Sequence, residues 1–413
     1  MQVTALHWHV YLLTGSPLAL GAVGLTRVIP ILLFSLWGGV AADRFDRRRL
    51  LFFTQSAMTL VAVALAVLTF WRRESLALIY LLNALSATAV AFDNPARQAL
   101  VPRLVPRDDL PGALSLNLTA FHAAMIAGPA LAGALIAGSG AVFPHAVGPV
   151  APAKEFLGIA WIYLVNAVSF LGVLAAVATL RTSGKVARDA SSNQNPLADI
   201  REGLRFVFRT PIMVWTMWLD FFATFFSGAL SLLPIFADRI LAAGPTGYGL
   251  LVAAPGLGAL VGSLYTATVP LPRRHGRVLL WSVAAYGAAT VVFGLSRNFV
   301  LTFLALALGG LADLVSTLIR QTLRQLITPD ALRGRMTSVN MLFFMGGPQL
   351  GEVEAGLVAS LFMSVAVGAT VSVVSGGVAT LLAVAVIAAR SPLLRRYELK
   401  DLRTSEPPGS PPE

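Results

Sequence analysis

Long apolar stretches recur along all 413 residues of this chain, joined by short polar connections. They run over Gln2–Leu13, Leu18–Ala42, Leu50–Trp71, Leu76–Phe92, Ala113–Gly138, Leu157–Leu180, Ile212–Phe236, Tyr248–Thr268, Val278–Leu295, Phe299–Ile319, Ser338–Phe362 and Val365–Ala389. A helix needs about 20 apolar residues to cross the ~30 Å hydrocarbon core of a bilayer. Inside lipid each backbone N–H and C=O must be satisfied within the protein, so a spanning segment is a helix or a strand of a closed barrel. Stretches this long, without strict alternation, are helices. Charged residues make up 12% of the chain, against about 25% in soluble domains. The sequence therefore predicts an all-α membrane protein of twelve spans, rich in the Gly and Ala that let helices approach closely.

The basic residues test this map. With the loop after the second span taken as cytoplasmic, 25 of the 31 Lys and Arg fall on the cytoplasmic side. Five fall outside (Arg72, Arg73, Lys154, Arg239, Arg297), and Arg27 lies within a span. This is a strong positive-inside pattern. It also sets the net charge of +11 against the anionic inner leaflet, so no nucleic-acid partner is needed to explain it. The chain has no cysteine, and its five histidines lack paired spacing, so neither a disulfide framework nor a metal site is expected. No P-loop, His-Glu-x-x-His or nucleophile-elbow pattern occurs, which gives no support to ATP drive, a bound cofactor or an enzyme.

Four regions follow. Residues 1–181 form a first six-helix bundle with an incomplete first helix. Residues 182–211 are a cytoplasmic linker, in which Leu197, Ile200, Leu204 and Val207 alternate with charges as in an amphipathic surface helix. Residues 212–390 form a second six-helix bundle, and 391–413 a polar, disordered cytoplasmic tail. The halves repeat. Arg97-Gln98-Ala99-Leu100 matches Arg320-Gln321-Thr322-Leu323 at an offset of 223, and Gly128-Pro129 matches Gly347-Pro348 at 219. Paired repeats imply two bundles rocking about a central site. The first span, Gln2–Leu13, covers only about 18 Å as a helix. It is expected to lack roughly ten residues before Met1. The alternative is one span over Val3–Leu20 with Gly15–Pro17 inside it.

Ionisable groups within spans are costly and mark function. Arg27, His122, Asp220 and Glu352 are the candidates for proton or substrate binding. Asp220 and Glu352 are the expected proton carriers, since a desolvated carboxylate exchanges protons nearer neutrality. Arg27 could hold an anionic substrate or a carboxylate. Asp313 is expected to pair with Arg320, and Asp93 with Arg97 four residues on. Asn83, Asn117 and Asn166 either line a cavity or bond across helices. Glu354 lies about 200° from Glu352 around the helix, so the two cannot share a face.

The loop Gly39-Val40-Ala41-Ala42-Asp43-Arg44-Phe45-Asp46-Arg47-Arg48-Arg49 resembles the signature loop between helices 2 and 3 of the major facilitator superfamily. That resemblance implies a gate in which Gly39 permits close packing and Asp43, Arg44, Arg47 and Arg48 pair with charges or helix dipoles. Gly128-Pro129 with Gly133 is similar to the superfamily's fifth-helix antiporter motif. The stretches Leu13–Gly21, Phe92–Pro102 and Gln349–Glu352 resemble the transmembrane secretion effector branch, the enterobactin-exporter-like group. The resemblance implies a twelve-helix (6+6) major facilitator fold with both termini cytoplasmic. It further implies a monomeric exporter of an amphipathic small molecule driven by protons, resident in a bacterial cytoplasmic membrane. A proton-coupled importer and a non-transporting scaffold or sensor of the same fold are the competing readings.

Overall fold

The computed structural model describes residues 1–100, 104–106, 109–142, 151–180, 205–226, 228–269, 274–328 and 333–396; the side chains at 36, 43, 111, 114, 118, 140–142, 151–153, 229, 333–345, 393 and 396 are outside that description. The start of the predicted linker helix and the tail from residue 397 lie outside the described residues, while Pro392–Arg396, expected to be part of a disordered tail, forms a short helix.

The described elements are helical throughout. They are α1 (Gln2–Thr14), α2 (Pro17–Arg44), α3 (Arg47–Phe70), α4 (Leu76–Leu100), α5 (Leu110–Val142) and α6 (Ala151–Thr179). Then come α7 (Pro211–Phe226), α8 (Gly244–Thr268), α9 (His275–Leu295), α10 (Phe299–Ile327), α11 (Arg333–Ser360) and α12 (Val365–Arg390). A 3₁₀ turn (Gly228–Leu232), a short α turn and a π turn (Phe236–Ile240) extend α7. Among the described residues, ten helical segments are long and apolar enough to cross a membrane, with α7 and its extension counted as one. At 13 residues α1 is shorter than a span.

Local chemistry sets the boundary between α1 and α2. Gly15 adopts φ 59°, and its N–H bonds to the Tyr11 carbonyl 2.7 Å away, which ends α1 in a left-handed cap. Ser16 then accepts from the Ala19 N–H, and Pro17 opens α2 at its first position. A single helix through Val3–Leu20 is therefore not formed. Asp46 caps α3 by accepting from the N–H groups of Arg48 (2.9 Å) and Arg49 (3.2 Å).

The chain divides into two compact units that differ from the sequence halves. The first comprises Met1–Pro196, Ala229–Ala253 and Gln349–Ala369, and the second Leu197–Gly228, Ala254–Pro348 and Thr370–Glu413. In the second, Leu219, Leu279, Val283, Ile319, Leu323 and Ile387 from α7, α9, α10 and α12 form the core.

Two glycine crossings hold the first unit together. A Cβ on Gly21 of α2 would lie 2.9 Å from Gly356 Cα of α11, and one on Gly356 2.7 Å from the Pro17 carbonyl oxygen. A Cβ on Gly133 of α5 would lie 2.5 Å from the Pro245 carbonyl oxygen at the start of α8, and one on Gly249 2.5 Å from that of Pro129. In each crossing the fifth helix of one sequence half meets the second helix of the other. Small residues at such points let backbones touch, and dispersion then replaces the hydrophobic effect that lipid cannot supply. Gly356→Leu is expected to cost about 1–3 kcal/mol by overpacking, read as a lower thermal midpoint in detergent. Gly39→Leu should leave that midpoint unchanged, since its Cβ meets open space; equal effects at both sites would contradict the assignment.

Candidate transport site

In α1, four residues each reach a carboxylate from a different segment of the first unit. His7 Nε2 lies 3.7 Å from Glu352 Oε2 of α11. The Trp8 indole donates to Glu155 of α6 at 2.7 Å. His9 Nε2 lies 3.9 Å from Glu74, in the turn before α4, and its Nδ1 meets the Tyr163 hydroxyl at 3.2 Å. The Tyr11 hydroxyl donates to Asp238 in the π turn and accepts from Arg239 Nε at 3.1 Å. Tyr248 of α8 stacks on Trp8 with centroids 5.0 Å apart and donates to the Thr4 carbonyl at 3.1 Å. Among the described residues, α1 is thus tied through its side chains to α6, α11, the turn before α4 and the π turn. A run of His, Trp, His and Tyr inside an apolar stretch was the available signal, but spacing along α1 says nothing of partners so far away in sequence.

Glu74 has a second partner, Arg72, whose Nε is 3.4 Å away and whose guanidinium also sits 3.9 Å over the Phe156 ring. Burial pushes the Glu74 carboxyl up, but its approach to His9, its own backbone N–H and the Arg72 charge prevail and leave it below its ordinary value.

Among the described residues of the second unit, Arg320 and Asp220 form a deeply buried ion pair. Arg320 of α10 reaches Asp220 of α7 at 2.6 Å, and both side chains are at most 10% exposed. Asp313 is 3.8 Å from the same guanidinium and half-exposed. The expected Asp313–Arg320 pair is therefore secondary. Seven residues separate these two by about 10 Å along the helix, whereas Asp220 projects from a neighbouring helix onto Arg320. Asp220, expected from sequence to carry protons, is charge-paired.

Arg97, the repeat counterpart of Arg320, bonds Asp93 on its own helix at 2.7 Å, and Thr54 and Gln55 of α3 also donate to Asp93 at 2.9 and 2.8 Å. The loop arginines act locally. Arg47 donates to the carbonyls of Ala42 (3.0 Å) and Ala99 (3.1 Å), and Arg48 to Val177 at 2.9 Å and to Ala178. These carbonyls lie at or near the C-terminal ends of α2, α4 and α6, where unpaired oxygens and the helix dipole favour a cation. Arg44 is exposed, and the Asp43 side chain lies outside the described residues. Gly38, rather than Gly39, makes the close approach in this loop: its Cβ would lie 2.1 Å from the Ala91 carbonyl oxygen of α4. Gly128 faces Met1, at 3.1 Å from a built Cβ to the chain's amino nitrogen. His122 Nδ1 is buried without a hydrogen bond, and Arg27 is half-buried with no ion-pair partner among the described residues. Asn83 donates to Thr26 at 2.8 Å and Asn166 to Gln2, so both bond across helices. No cluster of metal-ligating residues occurs among the described residues.

A repeated, membrane-spanning helical architecture with charges buried in pairs is one that membrane transporters use. The chain is a member of the transmembrane secretion effector family of the major facilitator superfamily, whose family model matches residues 1–412. It is not an enzyme. It is 26% identical over 329 residues, 80% of this chain and 74% of the relative, to "Enterobactin exporter EntS" of Shigella boydii serotype 18, and equally to that of Escherichia coli O81. Among solved structures it is similar to the inward-facing, occupied form of a bacterial homologue of the human lysosomal transporter Spinster (TM-score 0.71, 15% identity, 96% of this chain and 94% of that one). It is also similar to a bacterial homologue of the iron transporter ferroportin in an inward-facing state (TM-score 0.62, 18% identity, 95% and 96%). A third likeness is to the nucleoside transporter NupG (TM-score 0.63, 12% identity, 96% and 99%). These last likenesses define the fold.

Removing one partner of a buried pair strands the other charge, at a cost of about 3–5 kcal/mol. Arg320→Met should therefore lower the thermal midpoint in detergent far more than Asp220→Asn combined with Arg320→Gln. A double variant no more stable than the single would show that the pair contributes little.

Proposed function

We propose that this protein exports an amphipathic small molecule, drug- or siderophore-like, from a bacterial cytoplasm by alternating access, in exchange for entering protons. On this reading the sequence halves 1–181 and 212–390 rock against each other, the C-terminus is cytoplasmic, and one chain suffices. Export is supported by the secretion-effector family and by the exporter relatives. Proton coupling rests on one observation: carboxylates are buried against titratable or displaceable partners, with Glu352 beside His7 and Asp220 beside Arg320. Asp220 takes a proton when Arg320 moves off it, and Glu352 takes one with His7. Arg27, half-buried and without an ion pair, suits an anionic group of the substrate. The loop from Gly39 to Arg48 and the Gly128–Gly133 segment serve as gate and packing elements.

Inside-out vesicles carrying the full chain and an imposed proton gradient test this reading, with enterobactin and a lipophilic cationic dye as probes. Uptake of one of them should depend on the gradient. Asp220→Asn and Glu352→Gln should each cut it at least about tenfold, which corresponds to ~1.4 kcal/mol. Gradient-driven uptake that survives both substitutions would sink the assignment of these two carboxylates.

A further inference from the structure

Four carboxylates contact α1, and one of them stands apart in its partners. Glu155 accepts a neutral indole N–H, Asp238 lies 3.4 Å from Arg239, and Glu74 has Arg72 as well as His9. Glu352 has His7, whose charge depends on a proton. Both side chains are shielded, 7% exposed for His7 and 15% for Glu352. His7 Nε2 and Glu352 Oε2 are buried and form no hydrogen bond, although His7 Nδ1 is fixed 2.9 Å from the Val3 carbonyl. That carbonyl is an acceptor, so Nδ1 carries a hydrogen and Nε2 is left as the ring's free proton acceptor.

Among the described residues, no fixed charge is paired with Glu352. From α11, Gln349 lies one turn before Glu352, and its Oε1 is also unpartnered. Glu354 is two residues on. From α8, the neutral Tyr248 is within electrostatic range of Glu352. From α2 comes the backbone at Gly24, where a Cβ would lie 3.0 Å from Glu352 Oε2, with Arg27 one turn beyond. From α1 itself, His9 and Tyr11 are committed to Glu74 and Asp238. Among the described residues, no Lys or Arg makes an ion pair with Glu352.

We propose that His7 and Glu352 bind one proton between them and act as a latch, so that α1 and α11 stay packed only while that proton is aboard. With neutral His7 and ionised Glu352 the site carries one net negative charge away from water, which is costly. Adding one proton from the outer solution makes the pair neutral overall, whichever atom holds it. The latch sits beside the Gly21–Gly356 crossing, four residues before Gly356 on α11. His7 is about 10 Å from the loop end of α1 and Glu352 about 12 Å from the loop end of α11, so the two lie at matching depth.

The sign follows from linkage. A proton shared across the pair neutralises it only while the two helices are packed, so on this proposal packing is favoured at low pH and lost as pH rises. The idea rests on the proton-exchange reading above and adds to it an order of events. The outer ends close once a proton is bound, and an exchanger therefore returns loaded with the proton rather than empty.

The absence of native cysteine makes the test direct. Leu18→Cys and Leu357→Cys lie on exposed positions of α2 and α11 flanking the crossing. Spin labels there, in the full chain in lipid nanodiscs, report the separation by pulsed dipolar spectroscopy. Between about pH 5.5 and 8.5, where histidine titrates, a short-distance population should give way to a longer one. Glu352→Gln should remove the pH response and hold the short distance, and His7→Gln should also remove it. His9→Gln should retain it. A flat wild-type response, or one that survives both Glu352→Gln and His7→Gln, would overturn the latch. If vesicle uptake remains proton-driven while the distance is flat, the latch alone fails. If the distance responds while uptake ignores the gradient, the latch stands and the exchange reading fails.

Discussion

Lipid offers no water to a buried charge, and the positions of the ionisable side chains follow from that. A carboxylate in the hydrocarbon region must meet a cation, a hydrogen-bond donor or a proton. Asp93 meets Arg97, Thr54 and Gln55; Asp220 meets Arg320; Glu155 meets the Trp8 indole. Glu352 meets a histidine. The first three arrangements are complete at any physiological pH, because an arginine or an indole N–H does not titrate there. The last is complete only with a proton, whereas on the proposed reading Asp220 takes one only after Arg320 has moved off it.

The same constraint explains why glycine recurs where helices cross. Apolar side chains gain nothing from leaving lipid for one another, so association depends on close backbone contact. The Gly21–Gly356 and Gly133–Gly249 crossings provide it twice, between equivalent helices of the two sequence halves.

Much of this was legible in the sequence, and the limit is a physical one. Apolar run length fixes which segments are helices, because that effect is local along the chain. The Asp93–Arg97 pair was legible for the same reason, being four residues apart on one helix. Pairing across helices was not. Arg320 has Asp313 on its own helix, yet Asp220, a hundred residues earlier in the chain, is its closer partner. Likewise nothing in the spacing of His7, Trp8, His9 and Tyr11 names Glu352, Glu155, Glu74 or Asp238 as their partners. The resemblance to a known signature loop pointed to Gly39, but one residue is 100° of helix, and Gly38 is the glycine turned toward α4.

Every part of the account requires helices that cross lipid with their basic ends on one face. Single cysteines placed in the cysteine-free chain at Arg49, Arg73, Arg297 and Arg390, all exposed, measure this with a membrane-impermeant maleimide. Labelling at Arg73 and Arg297 in intact cells, with Arg49 and Arg390 reacting only after permeabilisation, is the predicted result. Reaction of Arg49 and Arg73 from the same face would contradict it.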